Sequence, residues 1–393
     1  MKLMILGAGI MQLPLIKTAR SMGHEVIVVG RKGNYPGIPF ASKCIFTDFT
    51  KTEEVVAIAE REQIDGIWTC GLDSAIRTMA AVSEALQLPG ISTKCAEIVC
   101  NKLRMKDFFV RSHVRTADFV VCRNEEDGHK AFHHFNKRRV VFKAVDSQGS
   151  AGITMVENPE QVSRAYQEIR KFSNSKEYIV EEFLHGTEIG AQAFVVNGQM
   201  QWMVPHGDYI FQGGTGIPIG HYIPLDLPCK ILADCNSQIE RFVQASGIRT
   251  CALNVDFIIC NQKAYVLEIA ARCGATMIAE SISLWFGYNY YEKMIEAALG
   301  LPISIVPGRD RYASATMTLT SKISGKITRQ EVKPRFQSSN SIIHFDNQVG
   351  DQVHEFRHGI DRIGHVISRG KNLVEAEMEL KQALESIILD IIP

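Results

Sequence analysis

The sequence predicts a multidomain protein combining α/β and α+β architecture, and three observations carry that reading. Near its start, short apolar runs alternate with helical patterns, the order of βαβ units around a parallel sheet. Beyond about residue 95 the pattern changes to mixed strands and helices, with long strand-like segments continuing to Ala271. At 393 residues, with 46% apolar and 22% charged side chains, the chain has the composition of two or three ordinary globular domains.

The elements follow in order. Lys2–Leu6 is apolar and leads to a helical stretch from Ile10 to Met22, then to Glu25–Val29, Glu53–Arg61, Gly66–Thr69 and Ser74–Leu86. Gly7-Ala8-Gly9 opens like a dinucleotide fingerprint, but Gln12 occupies the place of the third glycine and Arg31 stands where a ribose-holding acid belongs. These glycines are expected to form a tight turn for another ligand or a neighbouring domain. A helical stretch from Lys94 through Val110 precedes Val120–Cys122, helix Glu125–Phe135, Val140–Lys143, a glycine loop, Thr154–Val156, helix Pro159–Lys171 and Tyr178–Glu182. Residues 277–300 read as helical. Short strands then follow at Ala313–Thr320, Lys326–Ile327 and Ile342–Phe345, and a last helix from Leu373 to Leu389 carries an apolar stripe suited to core packing.

Lys plus Arg and Asp plus Glu number 43 each, so no overall field favours nucleic acid or an anionic membrane. The 10 cysteines show neither a Cys-x-x-Cys pair nor zinc spacing and read as reduced, packed thiols. The apolar run at the N-terminus is too short for a signal sequence, and no segment has the length of a membrane span. The expectation is a soluble, cytoplasmic protein with no nucleic-acid or membrane partner.

Tyr265-Val-Leu-Glu-Ile-Ala-Ala-Arg272 ends an apolar strand in Glu268 and Arg272, and Asp256 lies in the preceding run Ala252–Ile259. The turn Cys260–Lys263 makes the two a hairpin, and alternation can put Asp256 and Glu268 on one face. Oxygen ligands suit Mg²⁺, and Arg272 suits a phosphate. An ion network between the acids and Arg272 explains the same residues equally well.

Val140-Val-Phe-Lys143 leads into Ser147-Gln-Gly-Ser-Ala-Gly152, a loop able to offer backbone N–H groups to phosphate oxygens beside a lysine charge. It lacks the Gly-Lys-Ser/Thr of a Walker loop, and a plain hairpin is the competing reading. Tyr178-Ile-Val-Glu-Glu-Phe-Leu-His-Gly-Thr-Glu188 ends a strand in two acids and resumes with a third. A purine needs such an acceptor beside an apolar wall, and a ribose needs a carboxylate.

Lys102, Lys143, Glu181-Glu-Phe-Leu-x-Gly-x-Glu188, Asp256 and Glu268-Ile-Ala-Ala-Arg272 occur in the order and approximate spacing of the ATP-grasp superfamily. Over nearly its whole length the chain resembles the branch that contains carboxylate–amine ligases, biotin carboxylase and the carbamoyl phosphate synthetase large subunit. The resemblance implies a Rossmann-like N-terminal domain over 1–95 and an ATP-grasp domain over 96–308, with a glycine-loop lid subdomain at about 115–184. A small β-rich α+β domain would fill 309–393.

It also implies roles. Lys102 and Lys143 hold ATP phosphates under a lid made of Gly149, Ser150, Ala151 and Gly152. Glu181, Glu182, Phe183 and Leu184 form the adenine hinge, and Glu188 binds the ribose. Asp256 and Glu268 hold Mg²⁺, or Mn²⁺ in its place, and Arg272, with Lys143, is catalytic. The implied reaction activates a small carboxylate as an acyl phosphate and couples it to an amine, releasing ADP. A bicarbonate-activating carboxylase and a nucleotide-binding protein with weakened catalysis are the alternatives.

The family pattern Glu-x-Asn-x-Arg departs here at Ala270, which has no side-chain oxygen. The glycine-rich segment Pro205–Pro224 suggests a mobile substrate loop with His206, Tyr209 and His221, or a surface loop without chemistry. Asp73 follows an early strand and reads as a helix N-cap more readily than a substrate contact. His133-His134 and His354/His358 read as solvated surface. A homodimer is the default assembly.

Overall fold

The computed structural model describes the chain apart from residues 137, 138, 148, 150, 212–216 and 335. Four parallel strands open it, in the spatial order Lys43–Phe46, Glu25–Gly30, Lys2–Leu6, Gly66–Trp68. Met4 and Leu6 enter one apolar cluster and Leu3 and Ile5 another, so both faces of the sheet are covered, as a parallel sheet requires. The first helix starts at Leu13 rather than Ile10, because the Gly9 N–H donates to Gln12 Oε1 at 3.0 Å and closes a turn ahead of it. Gln12 Nε2 also bonds the Cys70 carbonyl, so this side chain fills the glycine turn.

A second, antiparallel sheet orders Phe119–Cys122, Tyr178–Glu182, Val140–Ala144 and Ile153–Val156. Helices Glu125–His134 and Val162–Phe172 pack over it through Phe132, Val162 and Ile169. The largest sheet has eight strands: Lys263–Ala270, Cys251–Cys260, Thr187–Val196, Gln199–Ile210, Pro218–Ile223, Ala313–Leu319, Gly364–Gly370 and Ser341–Phe345. It therefore runs continuously across residue 309. Gln352–Val353, Gly325–Val332 and Ile387–Ile392 form a third antiparallel group.

Three expectations need correction. Cys229–Ser246, read as part of a strand-rich stretch, is an 18-residue helix that buries Ile231, Cys235, Ile239, Phe242 and Val243 at helical spacing. The last helix ends at Ser386, and the isoleucine-rich tail pairs as a strand with Gly325–Val332. The described residues of Pro205–Pro224 lie mainly on two paired strands rather than on a loop, while Gln212–Gly216 fall outside the described residues. Their glycines serve close packing: a Cβ on Gly207 would stand 1.9 Å from the Tyr222 ring, and one on Gly220 would stand 2.0 Å from the Thr316 carbonyl oxygen.

Candidate active site

The hairpin forms with Asn261 and Gln262 both at positive φ, the conformation a tight two-residue turn demands. Its register sets Asp256 directly opposite Glu268 and next to Gly190 on the other side. Glu188, two residues before Gly190, belongs to the same face. Burial pushes Asp256 up to about 7, and the charges of Glu268, Glu188 and Asp208 push in the same direction. Carboxylates converging with too little positive charge are the donor set a divalent cation relieves, so Asp256 and Glu268 fit Mg²⁺.

Ala270, which carries no oxygen, has Asn254 as its register partner. Asn254 Nδ2 donates to Asp256 Oδ1 at 3.2 Å, and its Oδ1 accepts from Gln192 Nε2 at 2.6 Å. An amide therefore stands beside Asp256 on its own strand, across from Ala270. No motif reveals it, because it lies 16 positions before Ala270 in the chain.

Lys102 occupies the first turn of helix Lys102–Arg111, whose N-cap Asn101 accepts from the Arg104 N–H. Its Nζ donates to the Ser147 carbonyl at 2.9 Å and to Glu268 Oε1 at 3.2 Å. One side chain thus joins the hairpin to the glycine loop. Arg272 is clamped in turn by Asp73, with Nε and Nη2 at 2.7 and 2.9 Å from the two carboxylate oxygens. Asp73 makes no capping bond, which corrects its expected N-cap role: the guanidinium offers a stronger partner than a helix N–H. Asp73, Lys102, Ser147, Glu268 and Ala270 line one small cleft.

On the facing sheet, Lys143 Nζ donates to Glu181 Oε2 at 3.0 Å. Lys106, one helical turn beyond Lys102, reaches the same oxygen at 3.0 Å and also bonds Thr116 Oγ1 at 2.6 Å. Sequence reasoning missed Lys106; its i,i+4 relation to Lys102 is the signal that pointed to it. Burial pulls Lys106 down to about 8 against the pull of Glu181. Burial opposes the Glu181 charge, but the two lysines outweigh it and keep the carboxyl below its ordinary range. Glu181 Oε1 remains buried with no partner among the described residues, an acceptor waiting for a donor at the expected adenine hinge. Lys106→Met should cost about 3–5 kcal/mol of stability, the cost of leaving a buried charge short of its partner, read as a lowered denaturation midpoint.

The other residues expected at the hinge lie on or just after the same strand. Glu182 Oε1 accepts the Asp118 N–H, and the Phe183 ring lies under Arg139 and beside His185. Leu184 follows at intermediate exposure. Glu188 is exposed, yet burial of its carboxyl and the Asp208 charge lift its pKa. Gly149 and Gly152 both have positive φ, and a Cβ on Gly152 would stand 2.8 Å from that of Ala144. Ser150 and Gln148 lie outside the described residues.

The proposed second-substrate residues separate. Tyr209 OH donates to Glu377 on the last helix, away from the carboxylates. His206 and His221 are buried and direct Nδ1 at one oxygen of Asp208, at 2.9 and 2.6 Å. Burial resists ionisation of Asp208, but hydrogen bonds from both imidazoles hold it well below the usual carboxylate range. Gly190, the register partner of both His206 and Asp256, is glycine because the His206 ring lies over it, 2.0 Å from where a Cβ would be. This cluster braces the wall behind Asp256. His133, His134, His354 and His358 are exposed.

Residues 100–276 match the family described as phosphoribosylglycinamide synthetase, ATP-grasp (A) domain, and residues 16–90 match the ATP-grasp N-terminal domain. The chain belongs to the ATP-grasp superfamily. It is 24% identical to the formate-dependent phosphoribosylglycinamide formyltransferase of Methanocella arvoryzae, over 98% of this chain and 92% of that one. This ATP-grasp chain is also similar to the crystal structure of phosphoribosylglycinamide synthetase from Anaerococcus prevotii, with a TM-score of 0.84, 27% identity and coverage of 100% and 99% of the two chains. It shares its fold with the L-amino acid ligase of Bacillus licheniformis, with a TM-score of 0.81, 18% identity and coverage of 100% and 99%. The chain is an ATP-dependent ligase of the ATP-grasp kind. Among the described residues no helix is long and apolar enough to cross a membrane.

Proposed function

We propose that the chain binds Mg²⁺–ATP between its two facing sheets and joins a small carboxylic acid to an amine at the Arg272 end of that cleft. The carrying observation is that Lys102 and its partner Glu268 line one cleft with Asp73, which grips Arg272, while Asp256 stands opposite Glu268 in the hairpin register. Mg²⁺ supplies Lewis-acid neutralisation of the phosphate oxygens. Lys102 exchanges its carboxylate partner Glu268 for a phosphate when nucleotide enters, which releases Glu268 for the cation. Lys143 stays anchored on Glu181 and presents its charge from the opposite wall.

A substrate carboxylate then attacks the γ-phosphorus in line, and ADP leaves. Arg272, already oriented by Asp73, meets the charge on the transferring phosphoryl group. The amine nitrogen attacks the acyl carbon, phosphate departs, and an amide remains. Water is the competing nucleophile, so the glycine loop at Gly149–Gly152 acts as a lid. Asn254 supports Asp256 where Ala270 offers no oxygen.

ADP release that requires an acid and an amine together is the expected assay result. ADP formed at the same rate without any acid contradicts the reading. Asp73→Asn should lower kcat about tenfold, or ~1.4 kcal/mol, with the KM for ATP unchanged, since it loosens Arg272 without touching the lysines.

A further inference from the structure

Lys106 takes part in none of the steps above, yet it is among the largest fully buried side chains of the protein, at 2% exposure. A lysine at the edge of a core ordinarily keeps its ammonium in water by reaching outward. This one turns inward. From helix Lys102–Arg111 it crosses to the lid sheet and stands 3.0 Å from Glu181 Oε2, the oxygen that Lys143 also takes. Glu181 is itself buried, and with both lysines on one oxygen the other, Oε1, has no partner among the described residues. An ionised carboxylate only accepts hydrogen bonds, whereas a protonated one also donates. The two lysine charges hold Glu181 ionised against its burial, so Oε1 is an acceptor and not a donor.

Thr116 fixes Lys106 in turn. Its hydroxyl donates to the Val266 carbonyl at 2.7 Å and accepts from Lys106 Nζ at 2.6 Å. The Val266 N–H donates to the Arg115 carbonyl at 2.8 Å, so the segment just ahead of the lid sheet is tied to Val266 by two hydrogen bonds. Val266 lies on strand Lys263–Ala270, two residues before Glu268. Lys106 therefore joins Glu181 on one sheet to the hairpin of Asp256 and Glu268 on the other.

We propose that Lys106, seated on Thr116, is a positioning residue that sets base selectivity: it keeps Glu181 turned with one oxygen open as an acceptor, so that the site takes a purine bearing an exocyclic amine and rejects one bearing an exocyclic carbonyl. A carbonyl there sets lone pair against lone pair in a buried position, where an unmatched polar group is costly. The proposal rests on the reading of the cleft as a nucleotide site and adds the residue that decides which base enters. Without Lys106 a single lysine faces a fully buried carboxylate. Burial then favours the protonated form, which can donate to a carbonyl.

The test is calorimetric binding of MgADP and of Mg²⁺–inosine diphosphate, which carries a carbonyl in place of the amine, to the full chain and its variants. The parent should bind ADP about 100-fold more tightly than inosine diphosphate, the scale of a buried polar group left unmatched. In Lys106→Met, read below its lowered melting midpoint, the ratio should narrow by about tenfold, with ADP weakened and inosine diphosphate not. Thr116→Val keeps every charge and should narrow the ratio in the same direction, and Thr116→Ser, which keeps the hydroxyl, should restore it. A purely structural role weakens both nucleotides alike, so an unchanged ratio in Lys106→Met or in Thr116→Val overturns the proposal. Equal binding of the two nucleotides by the parent overturns it as well, and leaves acid- and amine-dependent ADP release untouched. Selective ADP binding that follows Lys106, with no ADP formed from any acid and amine, supports the proposal and counts against the ligase reading alone. Binding of neither nucleotide overturns both.

Discussion

Arg272→Ala is expected to lower turnover by on the order of 10³-fold while changing nucleotide affinity by less than about threefold. The asymmetry follows from the contacts. Arg272 is held by Asp73 and its own chain, and it shares no hydrogen bond with Lys102, Lys143 or Glu181. Removing it leaves Lys102, Lys143 and Glu181 with their contacts and takes away the guanidinium that Asp73 holds beside the cleft. Asp73 is about one-third exposed, at 31%, so its lost partner is replaced by water and the fold survives. Arg272→Lys should not restore activity, because an ammonium cannot take both Asp73 oxygens in the planar geometry. Steady-state rates and ADP titrations on the same preparations read both effects. Full activity in Arg272→Ala would remove the assigned role.

Asp256→Asn should abolish the response to Mg²⁺ and reduce turnover by about 10³, the several kcal/mol a metal Lewis acid contributes. Its effect on the metal-free protein has the opposite sign. Asp256 is raised to about 7, above its unfolded value, first by burial and then by neighbouring carboxylates. Its ionisation therefore works against folding: the contribution to stability is fully present below the unfolded carboxylate range, near 4, and is lost as pH rises through about 7. Without metal, the asparagine variant should melt at or above the parent temperature in mildly alkaline buffer. For the parent chain, Mg²⁺ cancels the repulsion, so the melting shift it produces should be larger near pH 8 than near pH 6. A pH-independent shift, or an unchanged Mg²⁺ response in Asp256→Asn, would show that this carboxylate does not hold the cation.

What was legible in the sequence was local. Asp256 and Glu268 could be paired because strand alternation and a short turn fix their relation, and the observed register sets them face to face. Lys143 could be singled out by its place at the end of an apolar run ahead of the glycine loop, and Lys102 by the family resemblance alone. The groups that complete the site come from distant segments. Lys106 looks like a solvated helix lysine until the second sheet covers it, Asp73 looks like a cap until Arg272 arrives from 199 positions away, and Asn254 matters only through its partner Ala270. Glycines misled the reading of Pro205–Pro224, since composition cannot distinguish a glycine that frees a loop from one that admits a ring across a sheet, as Gly207 admits Tyr222. Helix Cys229–Ser246 had a readable period in Ile231, Cys235, Ile239, Phe242 and Val243, and its neighbouring strands obscured it.

The central claim is that a carboxylate oxygen attacks the γ-phosphate. Small carboxylic acids labelled with heavy oxygen, formate and the amino acids among them, should be incubated with ATP, Mg²⁺ and a pool of small amines, and the released phosphate examined by mass spectrometry. An acyl phosphate route transfers a labelled carboxylate oxygen to inorganic phosphate, with ADP as the other product. Unlabelled phosphate throughout, or AMP with pyrophosphate, would contradict it.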